Sequence, residues 1–122
     1  MSENFGNELK RLTGVSIPLG ALRTEKTPVI GEYTSLPEFA EFCKDAGLSV
    51  IQLLPVLDTG TSSSPYSTLS AFALHPIYIS IYKMENFTTC YEKNPSFRHE
   101  YDEFLSLKDD KRFNYTKKCI VD

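Results

Sequence analysis

The sequence lacks long apolar runs and an excess of positive charge, and both absences exclude classes of protein. No apolar run approaches the roughly 18 residues that a membrane-spanning helix needs, and residues 1–10 are too polar for a signal peptide. The formal net charge is -3, so nothing attracts the chain as a whole to nucleic acid or to anionic lipid. We therefore expect a cytoplasmic protein with no nucleic-acid and no membrane partner.

Cysteine and tryptophan are also scarce. The chain has no tryptophan, so any aromatic surface must come from its 8 Phe and 7 Tyr. Its 3 cysteines, Cys43, Cys90 and Cys119, are odd in number and far apart, which favours neither a disulfide framework nor a metal site of the CxxC type. We expect free thiols.

The residues that are present have an ordinary globular composition. The chain has 122 residues, of which 41% are hydrophobic and 24% are charged, and this length suits one domain or part of a larger one. The apolar run 15–19, entered through Gly14, predicts a first strand. The long loop that follows, residues 21–34, shows no lasting period, and loops of this kind often carry function.

A helix is predicted to begin at Ser35. Serine is a frequent N-cap, and Glu38 stands at the spacing that closes a capping box. Apolar residues then recur at helical spacing, and Gly47 stands where a helix commonly ends in the left-handed conformation. Residues 48–56 are almost continuously apolar, as in a parallel strand that is buried on both faces. The two strands and the helix predict a right-handed βαβ unit of the α/β class.

The second half of the chain is less regular. Residues 57–70 are rich in Ser, Thr and Gly, which predicts a polar loop at the carboxyl end of the second strand, the ligand side of α/β proteins. Residues 77–81 suit either a third strand or an extended packing segment. A helix is predicted to begin at Asn94-Pro95 with a stripe of apolar residues on one face. Residues 116–122 read as the first turns of a helix that the chain does not complete.

Five short motifs follow one another around this loop. In order they are Gln52-Leu53-Leu54-Pro55, Asp58-Thr59-Gly60, Ser64-Pro65-Tyr66, Leu69-Ser70-Ala71-Phe72-Ala73 and His75-Pro76. Together they resemble the amylomaltase family of 4-α-glucanotransferases, which has a QLLP-like strand end, a threonine-glycine turn, SPY, SAFA and an NP or HP pair at these places. Looser matches are Arg11 to Val15, Gly31-Glu32-Tyr33 and, downstream, Arg112 to Tyr115.

Some positions depart from that pattern. Ser67 stands where the family often has glutamine, which puts a polar contact there in doubt. Leu74-His75 replaces a common Gly-Asn pair, and Asp58 replaces the proline of many members.

The resemblance implies the N-terminal part of a (β/α)8 TIM barrel. Residues 1–122 would form a single incomplete domain, with the first βαβ unit followed by a loop, and residues 84–122 would begin an inserted helical subdomain. The implied activity is transfer of α-1,4-glucan segments between malto-oligosaccharides with retention, using no cofactor. Its partners are a malto-oligosaccharide or starch-type α-glucan and the remainder of the barrel. Such a barrel needs at least about 200 residues, so the chain alone is expected to be inactive.

No catalytic residue is assigned within the chain. Retaining transfer uses two carboxyl groups about 5 to 5.5 Å apart, and the family's acids lie on later barrel strands whose motifs these 122 residues do not contain. No metal site is assigned either.

Four residues are candidates for substrate binding. The resemblance places Tyr66 in the cleft, where its ring offers a flat apolar platform for a sugar and its hydroxyl a polar contact; the alternative is a ring packed under its own loop. Asp58 can reach substrate or cap the turn at Thr59-Gly60, and we favour capping. Ser64 and Ser70 can bond glucose hydroxyls or hold the loop through hydrogen bonds from their hydroxyls to backbone, and we favour the second.

Other residues of the motifs are expected to be structural. Leu69 and Phe72 are interpreted as core, and His75 as a histidine whose hydrogen bonds are satisfied locally. Two further hypotheses stay open beside the transferase. One is a stand-alone or degenerate sugar-binding or interaction module that kept the SPY motif, and the other is a different small α/β protein that matches by accident.

Overall fold

The computed structural model describes residues 11–109, and its sheet is a pair of parallel strands. Strand β1 (Gly14–Ile17) pairs with strand β2 (Val50–Leu53), with Gly14 opposite Val50 and Ile17 opposite Leu53. Helix α1 (Leu36–Asp45) lies between them in sequence. The predicted βαβ unit and the α/β class are therefore confirmed, although both strands are shorter than the predicted ranges 15–19 and 48–56.

The prediction that β2 is buried on both faces is wrong for this structure. Exposed and half-buried residues alternate along both strands, and Val50 stays 41% exposed. A parallel sheet is usually covered on both faces, but within residues 11–109 it has two strands only. One face of this short sheet therefore has too few elements to cover it.

Helix α1 begins differently from the prediction. Ser35 has helical backbone angles and closes a 3-10 turn, Tyr33–Ser35, instead of capping α1. Its Oγ accepts a hydrogen bond from the Glu32 N–H at 3.2 Å, and the capping box joins Glu32 to Ser35 and does not involve Glu38. The predicted helix end is confirmed, because Gly47 has a φ of 77°.

The loop between β1 and α1 folds back on itself. A 3-10 turn, Leu19–Ala21, lies against Gly31, whose N–H donates to the Gly20 carbonyl at 2.9 Å. A Cβ at Gly31 would stand 2.1 Å from the Leu19 carbonyl oxygen, so glycine is required for this approach. The loop in this way buries Leu19 and Ile30.

Residues 77–81 form no strand in the described chain, and Ile79 and Ser80 alone among them have the extended backbone of the alternative prediction. Two 3-10 turns, Pro76–Tyr78 and Ile81–Lys83, occupy this stretch. Ile77 is almost completely buried, and the Thr34 and Ser80 hydroxyls hydrogen-bond at 2.5 Å. The segment thus closes over the loop between β1 and α1.

Two helices follow. Helix α2 (Phe87–Lys93) was not predicted, and α3 (Pro95–Ser106) was. The Asn94 side chain caps α3 by accepting from the Phe97 N–H at 3.1 Å. A further 3-10 turn covers Leu107–Asp109. The predictions for residues 112–115 and 116–122 lie outside the described residues.

The helices pack on the loop between β1 and α1. Val29 of that loop shares a buried cluster with three residues from α3 and the turn after it. Arg23 ties the same parts together, since its guanidinium donates to the carbonyls of Pro28 and Lys108. The members of the cluster are Val29, Tyr101, Phe104 and Leu107. None of the helices in residues 11–109 is both long and apolar enough to cross a membrane.

The close approach at Gly31 yields a stability prediction. Gly31→Ala should destabilise the chain by about 2 kcal/mol or more, because its Cβ collides with backbone atoms that have little room to move. The matched control is Gly47→Ala, since no atom lies within 4 Å of its Cβ and only the left-handed backbone costs about 1 kcal/mol. Urea unfolding monitored by circular dichroism compares them; a Gly31 variant that unfolds no earlier than the Gly47 variant contradicts the prediction.

The buried ring of Tyr101 predicts a loss of stability at high pH. Burial, with the Glu32 carboxylate nearby, raises the pKa of Tyr101 above its usual 10.0. The stabilisation that comes from burying the neutral Tyr101 phenol is therefore complete below about pH 10. It is lost as the pH rises through the pKa of Tyr101 in the folded chain. Tyr101→Phe should flatten the fall of the urea midpoint between about pH 9 and about pH 11. The same fall of the urea midpoint in the wild type and in Tyr101→Phe contradicts the prediction.

Candidate functional site

The chain forms a closed loop after β2, which we call the SPY loop (residues 57–74). Leu57 and Leu74 form an antiparallel bridge at its neck. The Asp58 N–H donates to the Ala73 carbonyl at 2.8 Å, and the His75 N–H donates to the Val56 carbonyl at 2.9 Å. Its two ends therefore lie side by side beyond the carboxyl end of β2, as in a compact loop that is packed by its own residues.

Tyr66 lies in a tight turn of this loop. The Ser67 N–H donates to the Ser64 carbonyl at 3.1 Å, which places Pro65 and Tyr66 at the two central positions of a four-residue turn. Proline favours the first of those positions because its φ is already near the required value. The Tyr66 side chain is 69% exposed, so the alternative of a ring packed under its own loop does not hold within residues 11–109.

Asp58 closes the turn at the start of the loop. Its Oδ1 accepts a hydrogen bond from the Gly60 N–H at 2.8 Å, which confirms the predicted turn cap. Gly60 has a φ of 58°, and a Cβ there would lie 2.6 Å from Leu69 Cδ1. The left-handed backbone angle is therefore the main reason for glycine here, because Leu69 Cδ1 is the free end of an exposed side chain.

The two candidate serines act differently. Ser70 Oγ accepts from the N–H groups of Phe72 and Ala73 at 3.2 and 3.0 Å, which confirms its predicted role in holding the loop. The contacts that the structure gives Ser64 are made through its backbone, whose N–H donates to Ser62 Oγ at 3.3 Å. All four predicted binding residues, Asp58, Ser64, Tyr66 and Ser70, thus lie on one loop.

The prediction that Leu69 and Phe72 are core residues is wrong for the described part of the chain. Leu69 is 77% exposed and Phe72 is 94% exposed. The SPY loop is held together by backbone hydrogen bonds at its neck and inside its turns, which leaves these apolar side chains on its outer surface. With Tyr66 they give the loop an apolar and aromatic exterior.

Thr59 is a structural residue that the sequence reasoning did not single out. It is buried, and its Oγ1 donates to the Ser62 carbonyl at 2.7 Å. The signal was present in the sequence, because Asp, Thr and Ser side chains frequently bond to backbone two or three residues away.

His75 is satisfied locally, as predicted. It is buried, and its Nδ1 accepts from the Ile77 N–H at 3.1 Å. Its ring meets that of Tyr78 edge-on, with centroids 6.0 Å apart, and burial raises the pKa of Tyr78 above 10.0. Residues 11–109 contain no group of three His, Cys, Asp or Glu side chains that is placed to hold a metal.

Comparison with known proteins finds relatives that share one description. A sequence model of the 4-alpha-glucanotransferase family matches residues 17–119. A 4-alpha-glucanotransferase of Chlamydia pneumoniae is 40% identical over 76 residues, which is 62% of this chain and 14% of that protein. One from Chlamydia trachomatis serovar D is 41% identical over 68 residues, 56% of this chain and 13% of that protein. One from Oryza sativa subsp. japonica is 36% identical over 76 residues, 58% of this chain and 8% of that protein.

The matched part is a small share of those relatives, 14% or less of the length of each of the three. The family match, however, runs from the end of β1 through the SPY loop and both later helices. It covers well over half of the chain, and with it the whole candidate site. The chain therefore belongs to the 4-alpha-glucanotransferase family.

Proposed function

We propose that this chain is part of a retaining 4-α-glucanotransferase that moves α-1,4-glucan segments between malto-oligosaccharides without a cofactor. The observation that carries the proposal is the SPY loop: a family-type sequence that is folded into a closed loop with an exposed tyrosine at its turn. The substrate is a malto-oligosaccharide or a starch-type α-glucan.

The proposed parent fold is a (β/α)8 barrel, of which β1, α1 and β2 are the first βαβ unit. Two features support this. The strands are parallel with a helical crossover, and the SPY loop follows the carboxyl end of β2, where barrel enzymes build their sites. The exposed sheet face and the apolar exterior of the loop suit a surface that further barrel elements and substrate cover. Residues 84–122 are proposed to begin an inserted helical subdomain, supported by α2 and α3.

In this proposal the chain binds sugar and the acids that perform the chemistry belong to the rest of the barrel. Retention requires a nucleophilic carboxylate and a second carboxyl group that acts as acid and then base. The Tyr66 ring would lie against the apolar C–H face of a glucose unit, and its hydroxyl can bond a sugar oxygen. Ser64, Ser70 and Asp58 lie on the same loop. The chain alone would bind glucan weakly and transfer none.

A second candidate function is a stand-alone sugar-binding or interaction module. The exposed SPY loop, closed by its own hydrogen bonds, favours it, because binding needs the tyrosine but not the catalytic acids. The two candidate functions predict different results in an assay for glucan transfer. Maltotriose incubated with the complete product of the gene should yield glucose and longer oligosaccharides if the enzyme proposal holds. The absence of new oligosaccharides, with binding retained, would favour the module.

The role of Tyr66 is tested by titration. Maltotriose is titrated calorimetrically against the wild-type chain and two variants. Tyr66→Ala should weaken affinity about tenfold, or ~1.4 kcal/mol, because the sugar loses its apolar platform. Tyr66→Phe is the matched control that keeps the ring and loses only the hydroxyl, so its loss should be smaller. If Tyr66→Ala binds maltotriose as tightly as the wild type, the contact does not exist.

A further inference from the structure

We propose that Asp58 is the positioning residue for Tyr66: it sets the place of the tyrosine through the backbone of the SPY loop and does not itself touch the sugar. The inference rests on the proposed contact between Tyr66 and glucan. The structural basis of the inference is a series of hydrogen bonds within the SPY loop. The series begins at the Asp58 carboxylate, includes the turn of Tyr66 and ends at the Asp58 carbonyl.

The first hydrogen bond of this series is made by the Asp58 carboxylate. It accepts from the Gly60 N–H at 2.8 Å and so fixes the first turn of the loop. Thr59 and Ser62 are then joined twice, by Thr59 Oγ1 to the Ser62 carbonyl at 2.7 Å and by the Ser62 N–H to the Thr59 carbonyl at 3.1 Å. Ser62 Oγ accepts from the Ser64 N–H at 3.3 Å, which leads into the tyrosine's turn.

The remaining hydrogen bonds lie between the turn of Tyr66 and Asp58. The Ser67 N–H donates to the Ser64 carbonyl at 3.1 Å across the turn that contains Tyr66, and the Leu69 N–H donates to the Asp58 carbonyl at 2.8 Å. Ser67 and Leu69 are connected only through Thr68 in the chain, and the Leu69 bond returns to Asp58, where the first bond began.

Asp58 is hydrogen-bonded both to a residue that precedes Tyr66 in the loop and to residues that follow it, so its substitution can change the place of the tyrosine. Its N–H and carbonyl bond to Ala73 and Leu69, which follow Tyr66, and its carboxylate bonds to Gly60, which precedes it. The backbone bonds survive a side-chain substitution, but the carboxylate bond does not. Asp58 is half-buried whereas Tyr66 is largely exposed, so the tyrosine presents its surface to a ligand.

The first test needs no ligand. The chain is labelled with 3-fluorotyrosine, and the Tyr66 resonance is assigned by its loss in Tyr66→Phe. Asp58→Ala should move or broaden that resonance, because the first turn loses its cap. Asp58→Asn should keep it, since an amide oxygen can accept the same bond from Gly60. Asp45→Ala, which removes an exposed acid at the end of α1, is the matched control and should also keep it.

An unchanged Tyr66 resonance in a folded Asp58→Ala chain overturns the proposal. If that variant does not fold, Asp58→Gln takes its place: it keeps polarity but displaces the acceptor by one methylene, and the same change of the resonance is expected. An unchanged resonance in Asp58→Gln is equally contrary to the proposal.

The second test is a double-mutant cycle on maltotriose affinity. Asp58→Ala should weaken binding about as much as Tyr66→Ala, roughly tenfold, and should weaken it no further when Tyr66 is already alanine, because both act through one contact. Additive losses, with Asp58→Asn as damaging as Asp58→Ala, mean that Asp58 contacts sugar itself and the proposal fails. If the wild type binds no maltotriose, the proposed function fails, and the fluorine spectra still decide whether Asp58 positions the tyrosine.

Discussion

The described structure depends on the contact between Gly31 and the turn at residues 19–22. The Gly31 N–H bonds to the Gly20 carbonyl, and the two backbone segments approach so closely that no Cβ fits between them. This contact turns a long connection without regular structure into the buried centre of the described chain. Leu19 and Ile30 on its two sides are among the most buried residues.

Both halves of the described chain attach to that folded connection. On one side, Glu32 and Ser35 form the capping box that leads into α1, and α1 returns the chain to β2. On the other side, Val29 enters the cluster that holds α3, while Arg23 reaches the carbonyl of Lys108. This loop can support helices because hydroxyl groups inside it are paired, for example those of Thr27 and Ser35 at 3.0 Å, and buried polar groups need such partners.

The SPY loop is also ordered by hydrogen bonds within itself, but it lies at the surface. A loop that presents an aromatic side chain to a ligand loses conformational entropy on binding unless it is ordered beforehand. Here the neck bridge, the Asp58 cap and the proline before Tyr66 supply that order through hydrogen bonds and a restricted φ. The apolar side chains on the outside of the loop can therefore stay available for contact with other groups.

Local residue patterns were enough to determine the βαβ order, the left-handed end of α1 at Gly47, the start of α3 at Asn94-Pro95 and the turn cap by Asp58, because each depends on residues close together in sequence. They also placed the four candidate binding residues on one loop. Tertiary structure alone decided that residues 77–81 form no strand and that Leu69 and Phe72 face outward. These depend on how distant segments cover one another, and an apolar residue has the same sequence signature whether the surface that covers it is its own chain or another part of the protein.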